Sequence, residues 1–108
     1  MKKKESANYQ DWLKRASHDL ETAEDLLTRD GYPEIIAFHC QQAVEKYLKA
    51  YLLFVQKSFP KTHNLVFLLN LCKKTDKHFE QFKNICAELE PLYIVDRYPF
   101  DDEDDYNK

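Results

Sequence analysis

Apolar residues recur at steps of three and four near the start of the chain: Trp12, Ala16, Leu20, Ala23 and Leu27 mark one stripe, widened by Leu13 and Leu26. This spacing predicts an amphipathic helix over about Tyr9 to Arg29 with its stripe against a core. Asn8 is placed to cap its start, Asp11 lies in its first turn, and Gly31 is placed to end it. On a wheel of about 100° per residue Asp19 falls inside the apolar face. A carboxylate there needs a partner, because burying it unpaired is costly. A second helix can begin with Pro33 in its first turn and run to about Lys57, before Phe59-Pro60 stops it. Its wheel divides in two. Ala43, Tyr47, Cys40, Tyr51, Val44, Ala50, Phe54, Val55 and Leu48 form a broad apolar half, and Gln41, Glu45, Lys49, Gln42 and Lys46 share the other.

Phe38, Leu52, Leu53 and Ile35 interrupt that polar half. Large apolar residues among Gln and Lys on an outward face suit a contact with another chain. The expectation is a homodimer through Phe38, Gln42, Glu45, Lys49, Leu52 and Leu53; a further contact within one chain fits the same pattern. Thr62 to Lys74 reads as a third, shorter helix with Leu65, Leu68, Leu69 and Cys72 inward and Thr62 or Asn64 as cap. Asp76 opens a fourth, carried by Phe79, Phe82, Ile85, Cys86 and Leu89 until Pro91 kinks it or restarts it as a short last turn. Asp96 to Phe100 should be extended, since residues before proline avoid helical angles. The predicted fold is all-α: an up-and-down antiparallel four-helix bundle with a short fifth C-terminal helix or turn.

Composition agrees. The chain has 108 residues, one glycine and four prolines, too few turn formers for a many-stranded fold and enough length for one core. Net charge is -3, but residues 100–108 hold Asp101, Asp102, Glu103, Asp104 and Asp105 against Lys108, leaving the rest at +1. The division is therefore a helical domain at 1–99 and an acidic tail at 100–108. The tail is either solvated or engages a basic patch, and it argues against a general nucleic-acid binder. Cys40, Cys72 and Cys86 sit at apolar helical positions without metal or redox spacing, so reduced core thiols and no metal are expected. No segment is long and apolar enough to span a membrane, and a cytoplasmic protein is expected.

Catalytic signatures are missing: the single glycine rules out a phosphate-cradling loop, and no paired histidines or nucleophile motif occur. The chemistry-bearing residues that remain are His39, Gln42, Lys46 and Lys49 on the second helix, His63 at the start of the third, and Arg97 with Tyr98. His39, between the polar and apolar arcs, is either a partly buried helix histidine or a ligand contact. Glu45 and Lys49 have the spacing of a helix ion pair. His63 can cap its helix or offer an imidazole to an anion at the helix start. Arg97 and Tyr98 suit phosphate and base binding, or a strap across the bundle.

Trp12 to Ala16, Asp19-Leu20 and Ala23, then Phe38 with Gln41-Gln42-Ala43-Val44-Glu45-Lys46-Tyr47-Leu48-Lys49, Thr62-His63-Asn64-Leu65 with Leu68-Leu69, and Arg97-Tyr98-Pro99 together resemble the HEPN (higher eukaryotes and prokaryotes nucleotide-binding) domains. The resemblance implies an all-α bundle that usually dimerises, is often encoded beside a small nucleotidyltransferase, and in many members is an RNA-cleaving toxin or its inactive relative. It implies a nucleotide such as ATP as ligand and no resident cofactor. The RNA-cleaving members carry an Arg followed after four to six residues by a His. Here Asp102, Glu103 and Asp104 occupy those positions, and carboxylates would repel the phosphate. The expectation is a binding module with no confident catalytic residue. A divergent metal-independent ribonuclease using His63 and Arg97, or a helical dimer with only a scaffolding or antitoxin-like role, is the alternative.

Overall fold

The computed structural model describes residues 8–92. Four α-helices carry the fold: α1 (Tyr9–Thr28), α2 (Pro33–Gln56), α3 (Leu65–Thr75) and α4 (Lys83–Leu89), and the described residues contain no strand. Two short 3-10 segments, Lys77–Phe82 and Glu90–Leu92, flank α4. The all-α expectation holds. The fourth helix is shorter than its hydrophobic period suggests, because its first half is wound as 3-10 and only seven residues are α-helical.

Local chemistry explains the boundaries. The Asn8 side chain accepts from the N–H groups of Gln10 and Asp11, that of Asn64 from Phe67 N–H, and that of Asp76 from His78 N–H. The end of α1 differs from expectation. Asp30, with φ 59°, is the left-handed residue there, not Gly31. Gly31 is needed for close approach: its N–H meets Leu26 O at 2.7 Å, and a Cβ would lie 2.9 Å from Leu26 Cβ. Pro33 opens α2, and Lys57, left-handed at φ 72°, closes it with its N–H on Leu53 O.

Helices α1 and α2 form a long hairpin in which α1 packs chiefly against α2, while α3 and α4 pack on another side of α2. Ala16 and Ala23 of α1, and Ala43 and Ala50 of α2, are buried. Small side chains on both helices let the two backbones approach closely. The main core lies on the other side of α2, built from Leu48, Leu52, Leu65, Leu68, Leu69, Cys72 and Cys86. All three cysteines are free; Cys72 and Cys86 are in that core and Cys40 is half-buried. Burial, with Cys86 alongside, pushes the Cys72 thiol up to about 12, so it is inert at neutral pH.

Two expectations about faces are corrected. Leu13, Leu20 and Leu27, counted in the core stripe of the first helix, are exposed along one edge of α1. On α2 the polar arc goes inward: Gln41, Glu45 and Lys49 are buried, whereas Tyr47 and Phe54 of the apolar half are 38% and 54% exposed. Leu52 and Leu53 are also buried, so four of the six residues expected at a dimer face (Glu45, Lys49, Leu52, Leu53) lie inside the protomer. The reason is electrostatic. The charged groups of this arc pair with one another along α2 and with Asp19 and His63 from elsewhere in the chain, as the candidate site shows.

Candidate functional site

Each of two carboxylates gathers one lysine and one histidine around α2. In the first cluster Asp19, projecting from α1, has His39 Nδ1 3.1 Å from Oδ1 and receives Lys46 Nζ at 2.5 Å on Oδ2. Asp19 therefore has the partners its place on the apolar face demanded. An ionised carboxylate only accepts, so His39 presents Nδ1–H to it, and the ring is oriented with Nε2 directed away. The three side chains are 16 to 24% exposed, half-open to solvent. Phe38 packs edge-on against the His39 ring at 5.2 Å.

The second cluster is deeper. Glu45 Oε2 receives Lys49 Nζ at 2.8 Å and faces His63 Nδ1 at 2.9 Å. Lys49 Nζ also sits over the Trp12 and Phe59 rings, 5.9 and 5.1 Å from their centroids. Burial alone would raise the Glu45 carboxyl, but the hydrogen bond from His63 and the lysine charge together hold it below its usual range. Lys49 is thereby closed off from any ligand. His63 is 28% exposed at its side chain, and it does not cap α3. The cap is Asn64, and Glu90 Oε1 accepts from Leu65 N–H at 2.7 Å at the same helix start. Burial, with Glu45 nearby, raises the Glu90 carboxyl.

Between the two clusters along the helix, Gln42 donates through Nε2 to Gln41 Oε1 at 2.8 Å. Gln41 Nε2 and Glu45 Oε1 are buried, and among the described residues neither has a hydrogen-bond partner. An orphan donor and an orphan acceptor one helical turn apart are suited to a shared water. His39, Gln42, Lys46 and His63 thus lie along one polar arc and the loop beside it. Arg97 and Tyr98, also expected at the site, lie outside the described residues. Two contributors escaped the sequence reading. Glu90 gave no signal beyond its place before Pro91, and Gln41 only its four-residue spacing to Glu45. Among the described residues no group of three His, Cys, Asp or Glu is placed to hold a metal ion.

Comparison with known proteins adds lineage to this geometry. The model of the HEPN domain matches residues 9–108. A protein of Methanocaldococcus jannaschii named "Putative toxin MJ1304" is 31% identical over 97 residues, covering 82% of this chain. The match takes in 61% of that relative, so this chain spans about three fifths of its length. No solved structure matches.

Proposed function

The chain belongs to the HEPN domain family, and from that premise we propose that it is the helical component of a toxin-antitoxin-type pair, a homodimer that binds a nucleotide, a partner nucleotidyltransferase, or both. The observation that carries this reading is the half-open Asp19, His39 and Lys46 cluster with Gln42 beside it. Lys46, and the His39 ring when Nε2 is protonated as well, can donate to a phosphate at this partly desolvated surface, and a side-chain amide beside them suits a base or a backbone edge. The toxin name belongs to the M. jannaschii relative; with the polar cluster, it favours a recognition role in such a pair. Unfolding midpoints with and without ATP test this reading, together with mass analysis of what co-purifies from the native host. At a nucleotide concentration of 100 times Kd the gain should be about 2.7 kcal/mol. It should be lost in Lys46→Ala combined with Arg97→Ala. No gain and no co-purifying nucleotidyltransferase would remove the proposal.

One contact favours a second reading. Glu45 orients the His63 imidazole, as a carboxylate does for a general base, so a divergent ribonuclease would work through His63 and Arg97. RNA turnover in chelator that disappears in His63→Ala would support it, and turnover unchanged in that variant would count against it.

A further inference from the structure

Two adjoining cavities open on the side of α2 opposite its buried charges. One, about 240 Å³, is lined by Val44, Tyr47, Leu48, Phe79, Phe82, Ile85 and Cys86. The other, about 260 Å³, is lined by Tyr9, Leu13, Tyr47, Ala50, Tyr51 and Phe54. Tyr47 is the wall they share, and neither lining includes a charged side chain. Small-molecule sites pair apolar walls with a few convergent polar groups. These walls offer little beyond tyrosine hydroxyls and one thiol, so a polar ligand finds no purchase there.

We infer that this seam across α1, α2 and α4 is where a second copy of the chain docks, with Tyr47 at the centre of an isologous interface. The inference rests on the homodimer reading above and gives that dimer a face. Area selects the occupant. Leu13, Leu20, Tyr47, Phe54, Phe82 and Ile85 are 38 to 54% exposed. Since a large side chain of this kind carries roughly 150–250 Å², they present about 500 Å² of apolar surface. A standard interface covers about 800 Å² per partner, and homodimer interfaces are about 65% apolar. The seam supplies the apolar share of one such interface. It also suits self-association, because the part-exposed Tyr47 and Phe54 rings and the cavities they line share one face, as an isologous contact requires.

The arrangement of α2 points the same way. Beside Leu48, Leu52 and Leu53, α2 buries Glu45 and Lys49, yet it leaves Tyr47 and Phe54 38% and 54% exposed. A second copy would cover those two rings.

Sedimentation equilibrium on the full chain tests this, comparing wild type with Phe54→Glu, Ile85→Glu and Phe67→Glu, helicity by circular dichroism confirming that each variant is folded. Phe54 and Ile85 are open in the protomer, so charge there spares its core; Phe67, 48% exposed on α3, lies outside both cavities. The expected result is a wild-type dimer, a dimeric Phe67→Glu, and at least a hundredfold weaker association in both seam variants. A wild-type dimer unaffected by either seam charge would overturn the face while leaving the dimer. A wild-type monomer would overturn both and hand the seam to the chain's own C-terminal residues or to an unlike partner.

Discussion

Glu45 sets burial against charge. Its carboxylate is inside the protein only because Lys49 and His63 meet it there. Replacing it with alanine strands the Lys49 ammonium in a buried place, and breaking a buried pair in this way costs about 3–5 kcal/mol. A fall of that size in urea-unfolding stability is the expected outcome for Glu45→Ala, and a loss below about 1 kcal/mol would show that water reaches the pair. The pH dependence has two opposed parts. Glu45 titrates below its ordinary value in the fold, so its stabilisation is present above the unfolded carboxyl value and is lost as pH falls through the folded one. Glu90 titrates above its ordinary value, so its contribution is present below the unfolded value and is lost as pH rises through the folded one. Glu90→Gln keeps a carbonyl for Leu65 N–H and removes the charge near Glu45. It should raise the melting temperature at pH 7 and give no gain at pH 4. A melting temperature lowered at pH 7 would mean that the hydrogen bond needs the carboxylate.

Helix ends show which parts of the fold were legible. Asn8, Asn64 and Asp76 were readable as caps or openings because a short polar side chain before an apolar period has few other uses, and Phe59-Pro60 lies just past the end of α2. The 3-10 winding of Lys77–Phe82 was not readable, since the same apolar spacing serves either helix. Nor was the sense of α2. A helical wheel separates polar from apolar positions, but which arc is inward depends on Asp19 and His63 arriving from elsewhere in the chain. The polar cluster was therefore half visible: its members on α2 and the need of Asp19 for a partner were readable, but which groups meet across elements was not. Two backbone positions carry predictions. Lys57 is held at φ 72°, where a side chain costs about 1 kcal/mol, so Lys57→Gly should stabilise by roughly that amount in urea. Gly31→Ala should destabilise, because its new methyl group lands 2.9 Å from Leu26 Cβ and 3.0 Å from Leu26 O. An unchanged midpoint would mean that the turn shifts freely.

Across the whole molecule, α2 is the axis on which function turns. One side of it carries paired charges, half-open at Asp19, His39 and Lys46 and closed at Glu45 and Lys49. The other side is an apolar seam shared with α1 and α4. On the proposed reading the first side serves recognition and the second association, and with both on one helix a ligand bound across α1 and α2 would stiffen the hairpin that forms the seam. Phe54→Glu should therefore weaken nucleotide binding as well as dimerisation, although Phe54 is absent from the polar cluster. Titration calorimetry on the monomerised variant checks this, and wild-type affinity in it would uncouple the two faces.

Native mass spectrometry of the untagged protein from its own host tests the central claim most directly, because it reads assembly and retained ligand at once. The account predicts a dimer carrying a nucleotide or a bound nucleotidyltransferase. A bare dimer would contradict the binding role of the polar cluster, and a bare monomer at every concentration would contradict the account as a whole.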